Sequence, residues 1–345
     1  MTPMKETLMM TMLLRYAVFV GLTLSAAASA WAQSGAAPVS SWQIAFLRDG
    51  NIWLMNADGS GQRKWRTQEN IMGNLSWAPD GKRVAYVRRG EFTYSLPDGG
   101  GGTHRLYDVF ASHIDSTRDD FWWWVTFNHG SRTPEWSSDG RHIMYTRDIN
   151  ANTVDAELPD LKIEYAAVDG SEVVSLNRQG ALPRECQGTD PTWSPDRRQV
   201  AFIYHKAKAP SGTGGGALET IGLVVVSADG IVESDQELEQ LARLLTDVAG
   251  PAWSPDGKWI CYVDTKRDDG GIYRVSPDGK IKEKIVARAD RLVPYQGKPS
   301  WSPDSRLITF ASTDGFIYLA DADGKTPPRR VTSNGNDYFP AISPK

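Results

Sequence analysis

Five aspartates occupy one place in five copies of a short phrase. Asp80, Asp139, Asp196, Asp256 and Asp304 each follow Trp-Ser-Pro or a near variant of it. Carboxylates repeated in this way could ligate a metal or work as paired acid and base. Their shared position argues for local use instead, because aspartate between two apolar strands bonds to its own turn. Asp321-Ala322-Asp323-Gly324 opens like a calcium loop but lacks the later acidic ligands. The glycine runs at Gly99–Gly102 and Gly214–Gly216 lack the Lys-Ser or Lys-Thr of a phosphate loop. His104, His113, His129, His142 and His205 show no metal-binding spacing, and there is no Gly-x-Ser-x-Gly. The expectation from these residues is no cofactor, no metal and no enzyme.

The phrase itself dictates the architecture. Its copies begin at Leu75, Pro134, Pro191, Pro251 and Pro299, and their tryptophans Trp77, Trp136, Trp193, Trp253 and Trp301 recur at roughly 50 to 60 residues, room for four short strands. Pro-Asp-Gly makes a tight turn, and an alternating apolar segment follows it. Val84, Ile143, Val200, Ile260 and Ile308 align in one column, with Tyr86, Tyr145, Phe202, Tyr262 and Phe310 in the next. A second phrase, an apolar strand ending in Asp-Gly or a similar turn, starts at Ile52, Glu164, Leu223, Ile272 and Ile317 and supplies a hairpin signal. In the second blade the analogous stretch is Leu106 to Asp115, with Phe121 to Phe127 after it.

Each end of the chain holds part of one more blade. The segment at Gln43 lacks a preceding Trp-Ser-Pro-Asp, while Phe339 to Pro344 supplies that strand with nothing after it. Joining them places Ile44 and Phe46 in the two columns. The expected fold is therefore all-β: a six-bladed β-propeller closed by pairing the C-terminal strand with the N-terminal blade. Closure removes exposed sheet edges.

Domain boundaries follow as a signal peptide over 1–32, a short linker over 33–41 and the propeller over 42–345. The leader has Lys5 and Arg15, an apolar run from Tyr16 to Leu24 and small residues around Ala30 and Ala32. This reads as a cleavable export signal, with a membrane-tethering helix as the alternative. A periplasmic location and no membrane span after cleavage are expected. The net charge of −4 makes nucleic acid an improbable partner. Cys186 and Cys261 are expected to be free or buried thiols.

Trp-Ser-Pro-Asp-Gly-Lys, an apolar strand ending in Phe or Tyr, and a strand ending in Asp-Gly together resemble the TolB-type propeller repeat over about Gln43 to Lys345. The resemblance implies a six-bladed periplasmic propeller that receives a protein, plausibly an envelope lipoprotein, in its funnel. The α/β domain that precedes the propeller in TolB has no counterpart in the few residues before Ser41. Similar blades also occur in peptidase propellers and oligogalacturonate lyases.

The second-to-third connections Arg89 to His104, Asp148 to Lys162 and Lys206 to Thr220 read as long loops, sharing one face with the loops between blades. Partner-binding candidates on that face are His129, Arg132, Arg184, Asp190, Tyr295, Lys298, Asn336 and Tyr338. Trp122, Trp123 and Trp124 are either exposed aromatic anchors or blade packing. Ser234 to Glu237 matches a helix capping box ahead of Leu238, Leu241 and Leu245, though the segment could instead form an outer strand at Leu241. The leading expectation is a non-catalytic periplasmic protein-binding propeller linked to the cell envelope. A glycan-binding or lyase-like propeller is the alternative.

Overall fold

Hydrogen bonds inside the repeated phrase show why it folds as it does. In the Trp-Ser-Pro-Asp copies the serine hydroxyl donates to the aspartate two residues on, at 2.6 Å for Ser194–Asp196, Ser254–Asp256 and Ser302–Asp304. The same hydroxyl accepts an amide at the start of the next strand or one residue before it, from Gln199, Trp259 and Leu307. The aspartate in turn accepts the amide two residues beyond it, from Arg198, Lys258 and Arg306. Each carboxylate is consumed by its own turn. The following residue takes a left-handed backbone, supplied by Gly81, Gly140 and Gly257, and by Arg197 and Ser305 at a conformational cost.

The computed structural model describes residues 41–65, 70–95, 101–115, 122–151, 158–177, 181–208, 217–228, 232, 234–242, 245–266, 270–287 and 297–344. The leader and most of the linker fall outside them. Over Trp42–Lys345 the turns generate six antiparallel sheets arranged as a propeller. The first sheet orders Asp337–Ile342, Gln43–Arg48, Asn51–Asn56 and Arg63–Lys64. It therefore contains both ends of the propeller, paired as Ile44↔Ile342 and Arg48↔Asp337. Closure by the C-terminal strand is as the sequence predicts.

The second sheet runs from inside outward through Ile71–Trp77, Arg83–Ser95, Gly101–His113 and Trp122–Trp124. The third uses Ser131–Trp136, His142–Asp148, Leu161–Ala167 and Val173–Ser175. The fifth begins with Val248–Trp253 and the sixth with Ser300–Trp301. Both aligned columns are buried, and Ile44 and Phe46 join them fully enclosed. Their faces pack blade on blade, as where Tyr145 and Ile143 meet Val87 and Ala111 of the second sheet.

Two expectations need correction. The stretches 89–104 and 206–220 are not simply loops: Arg83–Ser95 pairs with Gly101–His113 out to Ser95↔Gly101, and Gln199–Lys208 pairs with Ala217–Ser227 out to Lys208↔Ala217. Inter-strand hydrogen bonding simply continues past the blade body. The fourth blade, which starts with Gln187–Trp193, is three-stranded among the described residues. In place of an outer strand is helix α1, Asp235–Ala242, capped by Ser234, whose hydroxyl accepts the Glu237 amide at 3.3 Å, with Leu238 fully buried. The amide of Leu223 bonds to the Leu245 carbonyl, so one outer-strand contact survives. Both cysteines are free and buried.

Candidate functional site

The innermost strands share a device that the repeat phrase conceals. Three residues before each tryptophan the chain bulges, and the register shifts against the second strand between Met72 and Ser76, Arg132 and Glu135, Thr189 and Thr192, and Ala249 and Ala252. Thr133, Asp190, Gly250 and Phe339 occupy the bulge with positive φ, and each is followed by proline. A left-handed backbone is rare for a β-branched or aromatic residue, so Thr133 and Phe339 hold a strained geometry that the flanking strands must enforce. Around the ring this position reads Asn74, Thr133, Asp190, Gly250, Lys298 and Phe339, with Ile342 standing where the other blades have tryptophan. The backbone repeats while the side chains differ.

One residue before the tryptophan, the ring is stitched together. Where this residue is Ser76, Thr192 or Ser300, its hydroxyl accepts the backbone amide of the next blade, from Trp136, Trp253 or Ile342. Where it is Ala252 or Ala341, its carbonyl accepts the next indole, from Trp301 or Trp77, at 2.9 Å. Glu135 does neither. It accepts Thr192 Oγ1 at 2.9 Å and Lys298 Nζ at 2.5 Å. Glu135 belongs to the third blade and Lys298 to the sixth, which face each other in a ring of six, so this ion pair bridges the central channel. Below it lies a cavity of about 270 Å³ reaching the Pro-Asp turns, lined by Trp77, Trp136, Trp253 and Trp301.

Above it, at the face of the inter-blade loops, is a second cavity of about 500 Å³ over the first three blades. Buried Leu47, Ile71 and Val87 form its apolar floor, and Tyr107, Arg132, Asn336 and Tyr338 line it. The Arg132 guanidinium lies 4.1 Å from the Tyr107 ring centre, a cation–π contact that holds both at the rim. Phe339 lines both cavities, and its ring edge rests against Gly297, where an added Cβ would come within 3.2 Å.

His129 stands beside this groove, fixed from within. Its Nδ1 is 2.7 Å from Asp108, and that buried carboxylate also accepts the His129 amide and Thr126 Oγ1, both at 3.0 Å. The outer aromatics continue from it: Trp124 packs on Phe110 and on Phe127, and Phe127 is 65% exposed. Trp123 turns the other way, partly buried against the third blade. The Trp122 side chain lies outside what is described. The tryptophan run thus divides between packing and surface, as alternation along a strand requires.

Of the sequence candidates, Arg132, Asn336 and Tyr338 meet in the groove, with His129 at its side. Asp190 and Lys298 belong to the bulge tier of the channel instead. Burial raises the Asp190 carboxyl above the usual carboxylate range, opposed by the positive charge of Lys298. Arg184 is not brought to either cavity; its backbone carbonyl accepts Lys162 Nζ at 2.6 Å while its side chain is exposed. Tyr295 lies outside the described residues. Sequence reasoning missed Glu135, Tyr107, Asn74 and Phe339. For Asn74, Phe339 and Glu135 the available signal was variation three residues or one residue before the repeated tryptophan position, while Tyr107 lies outside the phrase and had none.

Among solved structures, TolB from Acinetobacter baumannii matches with a TM-score of 0.59 at 15% identity over 90% of this chain and 69% of that one. The fold is a TolB-type propeller. A second such propeller, putative TolB from Agrobacterium tumefaciens, matches with a TM-score of 0.56 at 17% identity over 88% of this chain and 97% of that one. The tricorn protease matches with a TM-score of 0.50 at 11% identity over 87% of this chain and 34% of that one. No protein-family model matches. Among curated proteins, the uncharacterized peptidase YuxL of Bacillus subtilis is 24% identical over 225 residues, 64% of this chain and 26% of its own length. Dipeptidyl-peptidase 5 of Porphyromonas endodontalis is 22% identical over 279 residues, 78% of this chain and 34% of its own length. The TolB-type propeller thus spans about a quarter to a third of the curated relatives it matches. The expectation that the chain is no enzyme is corrected by these two relatives, both of which are named as peptidases. The physical reason is that the repeated residues serve turns and packing, so the lack of a catalytic motif among them has no bearing on activity.

Proposed function

We propose that this propeller recognises polypeptide, in a peptidase-related role, through the groove on its inter-blade face. The carrying observation is the groove itself. An apolar floor of Leu47, Ile71 and Val87 beneath a sparse rim of Tyr107, Arg132, Asn336 and Tyr338 suits an apolar side chain anchored by a few backbone-directed hydrogen bonds. Protein binding and peptide binding both call for an apolar anchor site with a sparse polar rim. The leader, read as an export signal, supports a periplasmic encounter with the polypeptide, an envelope lipoprotein being one candidate.

Fluorescence anisotropy with a library of labelled unstructured peptides tests this reading. Saturable binding that weakens at least about tenfold in Tyr338→Ala and Arg132→Ala supports it. Equal binding by both variants, or displacement by oligosaccharides but not by peptides, refutes it.

A further inference from the structure

The groove owes its room to one missing side chain. Four residues before each tryptophan position, the ring reads Gly73, Arg132, Thr189, Ala249, Gly297 and Tyr338. Gly73 of the second blade thus stands between Tyr338 of the first and Arg132 of the third, and all three line the cavity of about 500 Å³. A Cβ at Gly73 would meet no atom within 4 Å. Elsewhere on this level Thr189 is bonded to His205 Nε2 at 2.7 Å, and Ala249 and Gly297 carry no polar side chain. Arg132 is the cation beside the gap. Among the described residues its guanidinium makes no hydrogen bond and no ion pair, and it rests on the Tyr107 ring, 4.1 Å from the centre. A guanidinium held against a ring face keeps its fork of N–H donors available at the edge. The other charged residue lining the cavity is Asp49, in the turn between Gln43–Arg48 and Asn51–Asn56 of the first blade. The rim is therefore positive at the third blade and negative at the first, above the buried apolar floor of Leu47, Ile71 and Val87.

We propose that the groove selects polypeptide by a carboxylate, which Arg132 holds through two parallel N–H bonds while the apolar side chain next to that carboxylate fills the space above Gly73. One guanidinium matches a single negative charge shared by two coplanar oxygens. A phosphate group, nearly doubly charged, would meet only one cation, an apolar floor and the repulsion of Asp49. Asp49 also sets direction, because it turns the anionic end of the ligand toward the third blade. The carboxylate comes from the C-terminus of the bound chain or from an aspartate or glutamate side chain, one chemistry from two sources. This inference rests on the polypeptide reading and adds the charge that the groove requires.

Calorimetry with four N-acetylated peptides of one alanine-rich sequence around a leucine tests it. The first pair ends at the leucine, as a free acid or as an amide. The second pair ends as an amide, with aspartate or asparagine after the leucine. In at least one pair the wild type should prefer the charged peptide by about tenfold or more, and Arg132→Gln should erase that preference. The pair that shows it identifies the source of the carboxylate. Arg132→Lys, which keeps the charge without the fork, should retain part of the preference. Tyr338→Ala should weaken both members of the pair and leave their ratio, because it removes a wall and not the charge. Equal affinity within both pairs, a preference that survives Arg132→Gln, or its complete loss in Arg132→Lys as well would each overturn the proposal. If all four peptides bind alike and Arg132→Ala and Tyr338→Ala weaken all of them, the groove reading stands and only the carboxylate inference fails. If none binds, both fail.

Discussion

Replacing Asp337 by alanine should loosen the closed ring more than any other single charge removal. Asp337 is fully buried and accepts two bonds from Arg48, at 2.5 Å from Nε and 3.0 Å from Nη2. The guanidinium also lies 4.6 Å from the Trp53 ring centre, so it cannot swing to water without giving up that packing. Removing one partner of such a buried pair costs about 3–5 kcal/mol, because an uncompensated charge stays behind. For a domain of roughly 300 residues the entropy of unfolding near the midpoint is about 0.6 kcal/mol per degree, so the melting temperature should fall by about 5–8 °C. Differential scanning calorimetry at pH 7 measures this. Hydrogen exchange should quicken first in Gln43–Arg48 and Asp337–Ile342. A double variant Arg48→Met/Asp337→Ala should recover part of the loss, since no lone charge then remains. A melt within about 1 °C of wild type for Asp337→Ala would refute the reasoning.

Other outcomes follow from the same geometry. Deleting 338–345 removes most of the closing strand and should abolish the cooperative melt. Ser305→Gly relieves a left-handed backbone and should add about 0.5–1 kcal/mol, read as a higher urea midpoint, less whatever the Ser305 hydroxyl contributes as acceptor of the Asp256 amide. The Ser276 hydroxyl holds Asp278 down to about 2, and serine bonds likewise lower Asp58, Asp169 and Asp196. Folded-state values below the unfolded ones mean stability that is present above pH 4 and lost as pH falls toward 2, which melting curves across that window should show. His205 is pushed down to about 4 by burial between Thr189 and Thr220, so an NMR titration of its ring should find it neutral at pH 6. A thiol reagent should find no reactive cysteine in the native protein and two after denaturation.

The fold was legible because its signals repeat. Val84 and Tyr86 and their equivalents alternate at a period of two behind a turn whose serine and aspartate bond internally, and five copies reinforce one reading. Closure was legible from the partial blades at each end. The fourth blade was less so, since α1 and a strand at Leu241 use the same leucines and only packing of Leu238 decides between them. The long hairpins were misread as loops because glycine runs signal a turn without saying where pairing stops. Arg132, Asn336 and Tyr338 share one groove because all three lie on the inter-blade face, a placement that loop position alone made legible. Glu135 was hidden inside the motif, where its neighbours are structural and its partners, Thr192 of the next blade and a lysine 163 residues away in the opposite one, are distant in sequence. The likeness to proteins named as peptidases had no residue to announce it.

The sheet that holds both chain ends also sets the order of events during synthesis. Arg48 meets a partner 289 residues further on, so the ring stays open until the very last strand has been made. Blades two to six bring their own hairpins and can form as the chain emerges, whereas the first must wait with an unpaired edge. A propeller threaded through a pore in order would therefore remain unsealed, and so pliable, until Asp337–Ile342 arrives.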